Sequence, residues 1–205
     1  MTDTAQTPDE RMKQVLFMHA KRELRTRMQS LRNVLPKSAR ADRSARACRL
    51  ICELPEFAAA RTVAGYVAMR KELDVGAALE AATRAGKRVV LPRIHDDGLT
   101  FHLHQPGEAL TENDWGVLEP AAAAEQVALA DIDLLLVPAL ALDLRGMRLG
   151  YGKSFYDRLL AKARGVSVGV VYDFQLLAEL PNEAHDVPVQ RIVTDGRSEV
   201  AQLSV

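Results

Sequence analysis

The sequence is poor in cysteine, in net charge and in long apolar runs. Its 205 residues hold two cysteines, Cys48 and Cys52. With no histidine beside them they do not make a zinc site, and their spacing puts both on one face of a helix as reduced thiols. The 27 basic and 27 acidic residues cancel. Bulk charge therefore supplies none of the phosphate neutralisation that drives non-specific nucleic-acid binding, and no nucleic-acid partner is expected. No apolar run approaches the roughly 20 residues of a membrane span. The first residues are polar, without the apolar centre of a signal peptide. The expectation is a cytoplasmic protein with no membrane association. There is no internal repeat and no low-complexity linker.

What is present is one globular domain's worth of apolar residues, 48% of the chain. Residues 1–14 read as a flexible tail and 15–205 as a single domain. Apolar positions at Leu16, Ala20, Leu24, Met28, Leu31 and Leu35 give a helix over 15–35 whose many charges read as a solvated face. Ser38 is the expected N-cap of a second helix, running to about 54. Residues 62–69 and 87–94 read as strands flanking a helix over 75–85, with Asp74 as its N-cap and Gly86 as its end. A tight turn at 96–98 leads into a half-exposed strand, 99–104, on which His102 and His104 share a solvent face. The alanine-rich stretch 121–130 reads as a short helix or a linker. Strands follow at 132–142 (interrupted by Pro138), 165–172 and, last, 191–194, with a helical turn at 176–180. The class is α/β: a single three-layer domain, a mostly parallel sheet with helices on both faces plus a β-hairpin, preceded by two N-terminal helices.

The stretch 145–158 stands out. It joins an apolar strand to a helix through a glycine-containing loop, the arrangement of an anion site. Arg145, Arg148 and Lys153 add positive charge, and Asp157 a carboxylate suited to a metal. Gly152-Lys153-Ser154 resembles the end of a Walker A loop, with Asp173 as the matching magnesium residue. That pattern requires its first glycine at position 147, which is Met147; Gly146 comes one residue too early. A P-loop small-molecule kinase is therefore the disfavoured alternative. No Gly-x-Gly-x-x-Gly follows the first strand, so the dinucleotide fingerprint is absent.

Residues 137–143, Gly146 and 148–158 together resemble the signature of the 5-formyltetrahydrofolate cyclo-ligase family. Lys21-x-x-Leu24-Arg25, the strand leading to Glu72-Leu73-Asp74, Gly116-Val117-Leu118-Glu119-Pro120, and Asp186-Val187-Pro188-Val189 with Thr194 are similar to its other motifs, in order, over residues 21–194. The resemblance implies ATP- and magnesium-dependent closure of 5-formyltetrahydrofolate to 5,10-methenyltetrahydrofolate with release of ADP and phosphate. It implies small-molecule substrates only and a monomer.

By the same resemblance, Lys153 and Arg148 are the catalytic candidates. ATP is expected at Lys21, Arg25, Arg148, Leu149, Gly150, Tyr151, Gly152, Lys153, Ser154, Phe155 and Tyr156. The folate is expected at Arg25, Val67, Met69, Glu72, Tyr151 and Phe155, and magnesium at Asp157 and Asp186. Three positions depart from the family pattern: Ser154 replaces a glycine, Phe155 a tyrosine and Gln190 an aspartate. A non-catalytic folate- or nucleotide-binding relative is the further alternative, and the retained Lys21, Arg25, Glu72, Lys153 and Asp157 argue against it.

Overall fold

The computed structural model describes residues 8–96, 98–105, 107–183 and 186–202. Helix α1 (Pro8–Asn33) leads to α2 (Lys37–Cys52) and a short α3 (Pro55–Ala59). α1 begins at Pro8 rather than at residue 15, because a proline is well tolerated where a helix starts and its N–H groups have no partner. Pro36, not Ser38, holds the N-cap position of α2, with no side-chain cap bond. Strand β1 (Thr62–Ala64), helix α4 (Gly76–Arg84) and strand β2 (Arg88–His95) form the first crossover. β1 is shorter than residues 62–69, for the chain leaves the sheet after Gly65. Val75 sits at the N-cap of α4, and Asp74 acts one residue earlier, its Oδ1 accepting the Gly76 N–H at 2.8 Å.

Strand β3 (Gly98–Leu103) returns antiparallel to β2; the turn between them includes Asp97, outside the described residues. Short strands β4 (Thr111–Glu112), β5 (Leu118–Glu119) and β6 (Gln126–Val127) follow. The alanine-rich stretch is thus neither helix nor linker, but turn, strand β6 and a 3-10 turn at Leu129–Asp131. The long apolar run splits at Pro138 into β7 (Leu134–Pro138) and β8 (Ala141–Asp143). Strand β9 (Arg148–Leu149), helix α5 (Phe155–Leu160) and strand β10 (Val166–Val170) complete the centre. Leu176–Leu177 is strand β11, not a helical turn, since it pairs in parallel with β8. β12 (Arg191–Val193) is not the last strand; β13 (Ser198–Val200) folds back beside it.

The main sheet has the order β13-β12-β10-β7-β1-β2-β3-β6. β12, β10, β7, β1 and β2 run parallel, and the outer strands run antiparallel. Alternation along each strand divides the core in two. Val63, Val89, Leu134, Leu136, Val168 and Val170 pack under α2, α3 and α4 through Ala47, Ile51, Phe57 and Ala78. Ala64, Val90, Leu135, Val137 and Ile192 face the other way, against Leu159 and Leu160 of α5. α1 covers a third cluster, with Met28 on Leu140, Leu149 and Leu180. His102 is buried rather than solvent-facing: its Nδ1 lies 2.9 Å from the Ala124 carbonyl and its Nε2 3.0 Å from the Thr100 hydroxyl.

Candidate active site

The parallel strands meet in the spatial order β2-β1-β7-β10-β12, so the winding direction reverses between β1 and β7. At such a reversal the connections leave in opposite directions and open a crevice beyond the carboxyl ends of the strands. Here β7 pairs with β1 only at Val63↔Leu134 and Ala64↔Leu135, whereas its pairing with β10 continues to Pro138. The gap beyond Ala64 is the floor of a cavity of about 880 Å³. Pro138 from β7, and Tyr66, Val67 and Met69 from the segment after β1, line it.

The loop before α5 forms one wall. β8 and β9 make a hairpin whose turn is tied by the fully buried Asp143, which accepts N–H bonds from Arg145, Met147 and Leu180. Gly146 has φ +80°, and a Cβ there would lie 2.2 Å from the Val189 carbonyl oxygen. Its role is this close approach, on a side of the hairpin away from the cavity, which neither Gly146 nor Met147 lines. Arg145 is likewise turned away, its guanidinium spent on Asp143, Glu179 and the Leu180 carbonyl. It therefore adds no charge to the anion site, contrary to the sequence reading.

Ser154, at the N-cap of α5, adopts φ +51° and ψ +20° without a side-chain cap bond. The backbone thus turns left-handed where the family pattern has glycine, a conformation serine enters only at some cost. Ser154→Gly is expected to hold or raise the thermal midpoint, and Ser154→Val to destabilise the fold by about 1–2 kcal/mol, since branching at Cβ is least compatible with positive φ. Thermal unfolding followed by circular dichroism measures both. α5 is only six residues long, so its dipole is weak and anion binding falls to side-chain cations.

Those cations are arranged against carboxylates. Lys21 Nζ donates to Glu183 Oε2 at 3.0 Å and to Asp186 Oδ2 at 2.9 Å. Arg148 donates to Asp157 Oδ1. Burial disfavours the Arg148 charge and lowers its pKa, and Asp157 opposes that. Arg25 Nε donates to the Gly150 carbonyl at 2.9 Å, holding the loop against α1. Lys153 is exposed, its Nζ 6.0 Å above the Trp115 ring centroid. Asp157 and Asp186 both line the cavity. No cluster of three or more candidate metal ligands occurs among the described residues. Two hard carboxylates without a full protein cage suit magnesium, which keeps waters and takes phosphate oxygens for the rest of its shell.

A second wall is built on a strained turn. Arg70 and Lys71 both have positive φ, +47° and +61°. Glu72 follows them, 7% exposed, and lines the cavity with Arg70. Its Oε2 accepts the Met69 N–H at 3.1 Å and its Oε1 the Tyr151 hydroxyl at 3.0 Å. Burial raises the Glu72 pKa, while the Met69 N–H, Arg32 and Tyr151 pull it back down. Phe155 stacks on Trp115 with centroids 6.1 Å apart, a flat aromatic pair lining the cavity.

Every residue that the family resemblance singles out as a nucleotide, folate or metal contact lines this one cavity, whereas Arg145 and Asp173 do not. The sequence reading missed Met18, Gln29, Tyr66, Arg70, Trp115 and Glu183, which line it too. Gln29 was within reach: Lys21, Arg25 and Gln29 succeed one another by four, one stripe on α1.

Compared with known proteins, the chain matches the 5-formyltetrahydrofolate cyclo-ligase family over residues 17–195. It is 36% identical over 150 residues to the 5-formyltetrahydrofolate cyclo-ligase of Escherichia coli (strain K12), covering 70% of this chain and 82% of that protein. Against the enzyme of the same name from Mycolicibacterium smegmatis the identity is 39% over 152 residues, covering 69% and 77%. The NMR structure of Aquifex aeolicus 5,10-methenyltetrahydrofolate synthetase superposes with a TM-score of 0.80 at 33% identity, over 90% of this chain and 94% of that one.

Proposed function

This chain belongs to the 5-formyltetrahydrofolate cyclo-ligase family, and we propose that it closes 5-formyltetrahydrofolate to 5,10-methenyltetrahydrofolate at the expense of ATP, with magnesium bound. The observation that carries this reading is the convergence on one cavity of α1, the turn 69–72, the loop 148–157, Glu183 and Asp186. Its lining combines cations and carboxylates with the buried Glu72 and aromatic side chains.

The chemical problem is a formamide, whose oxygen is a poor leaving group and whose carbon is a poor electrophile. Transfer of the γ-phosphoryl group to the formyl oxygen breaks the bond to ADP and leaves an N-5 iminium phosphate. N-10 attacks the activated carbon, loses its proton, and phosphate departs with the formyl oxygen. Such chemistry asks the protein for positioning and charge stabilisation rather than for a nucleophile.

Lys21, Arg25 and Arg148 hold the phosphates, and Lys153 meets the phosphoryl group in flight. Asp157 and Asp186 hold magnesium, which when bound neutralises phosphate charge. In the structure these carboxylates are matched by Arg148 and Lys21. Binding then exchanges partners instead of stripping charges bare. Glu72 accepts the pterin N–H groups, Val67 and Met69 pack on the ring, and Tyr151 and Phe155 flank it.

The test is reconstitution. Purified protein with the formylated folate, ATP and magnesium should produce the methenyl chromophore, and omission of any one component should abolish it. A stable phosphorylated product without ring closure would point to a kinase instead. Binding without turnover would point to a non-catalytic relative.

A further inference from the structure

Arg32 lies near the end of α1, on a helix whose charges read as solvated, yet it is 1% exposed. Its Nη2 donates to the Tyr151 hydroxyl and, at 2.9 Å, to the Arg70 carbonyl. Nη1 stands 3.7 Å from Glu72 Oε1, at ion-pair but not hydrogen-bond distance. Nε and Nη1 have no hydrogen-bond partner among the described residues. An incompletely satisfied buried guanidinium is a costly way to fill a helix–loop contact that leucine or methionine would fill without penalty.

Its partners explain what the cost secures. Arginine only donates, so the Tyr151 oxygen accepts from Arg32 and must direct its own proton elsewhere. That proton goes to Glu72 Oε1 at 3.0 Å. With the Met69 N–H on Oε2, both carboxylate oxygens are oriented. The Arg70 carbonyl held by Arg32 belongs to the left-handed turn that presents Glu72. A second α1 residue, Asn33, grips the same turn by accepting Lys71 Nζ at 2.7 Å. Tyr151 sits in the loop 148–156, whereas Glu72 and Arg70 belong to the turn 69–72.

We infer that Arg32 is a positioning residue that locks Glu72 and Tyr151 into one unit and so couples occupancy of the nucleotide loop to the geometry of the folate carboxylate. This rests on the assignment of Glu72 to the folate and of the loop to ATP. A nucleotide that orders the loop fixes Tyr151, and through Arg32 the turn bearing Glu72. Linkage makes the effect reciprocal.

Trp115 is the only tryptophan and lines the cavity, so its fluorescence reports binding. The 5-formyltetrahydrofolate Kd is measured with and without saturating non-hydrolysable ATP analogue and magnesium. The proteins are wild type, Arg32→Met, Arg32→Lys, Tyr151→Phe and the Arg32→Met/Tyr151→Phe double variant. Wild type should bind folate more tightly when the analogue is present. Arg32→Met should weaken folate binding by about tenfold and abolish the enhancement. Tyr151→Phe should do the same, the double variant should be no worse than the poorer single, and Arg32→Lys should recover part of the loss. If Arg32→Met does not fold, Tyr151→Phe and Arg32→Lys decide, because each retains bulk at its position. Additive losses, or a folded Arg32→Met protein with wild-type folate affinity and enhancement, would overturn the inference while leaving the functional reading intact. A wild-type protein that fails to bind the folate would sink both.

Discussion

Lys153→Ala is expected to lower kcat by about two to three orders of magnitude, the usual cost of removing one preorganised charge from a transition state. The thermal midpoint should move by no more than about 2 °C, since the side chain is exposed and carries no packing. Among the described residues Lys153 makes no ion pair; its Nζ stands over Trp115. The other cations of α1 and the loop are already engaged: Lys21 with Asp186, Arg148 with Asp157 and Arg25 with the Gly150 carbonyl. Of the cations assigned to the phosphates, Lys153 is therefore the one that can follow a moving phosphoryl group without first breaking a bond. KM for both substrates should stay within about threefold, because the lost interaction belongs to the transition state. Steady-state kinetics with the two substrates varied independently decides it; unchanged kcat removes Lys153 from the mechanism.

Glu72→Gln is expected to act on the other substrate. The amide keeps the volume and one acceptor oxygen but loses the charge, so folate KM should rise by about tenfold to a hundredfold with ATP KM nearly unchanged. The pH dependence gives a second readout. Burial holds the Glu72 carboxyl above its ordinary range, and the ionised form is the better acceptor for pterin N–H groups. Folate affinity carried by Glu72 should therefore be present above that raised value and fall as pH drops through it, earlier than an exposed glutamate would allow. Stability runs the opposite way. A carboxyl with a folded-state pKa above its unfolded value favours the folded state at low pH and loses that contribution as pH rises through the folded value. Ionising this buried carboxyl thus costs the fold stability. In Glu72→Gln both dependences should vanish; a persistent acidic limb in folate binding would assign it to another group.

The sheet and most of the site were legible in the chain, for different physical reasons. The near-continuous apolar runs 132–142 and 165–172 have the character of parallel strands buried on both faces, and within them lie β7 and β10. The left-handed residue at Ser154 was legible only as a question, because residue type alone does not say whether the backbone follows glycine's path; at φ +51° it does. Lys21 and Arg25 were readable only through the family resemblance; their spacing of four adds that one helical face presents both. Arg32 was not, since on a helix rich in charge a buried guanidinium and a solvated one look alike until the turn at Arg70 and the loop at Tyr151 fold against it. Arg145 misled for the converse reason. It sits inside the most informative segment, yet Asp143 two residues away captures it. Local sequence weighs a charge without knowing its partner, and both errors come from partners fixed by tertiary structure.

The most direct measurement follows the formyl oxygen. With 5-formyltetrahydrofolate labelled with oxygen-18 in the formyl group, turnover with ATP and magnesium should deliver the label into inorganic phosphate, one atom per methenyl product. Ring closure that leaves the phosphate unlabelled, its formyl oxygen lost to water, would contradict phosphoryl activation in this cavity.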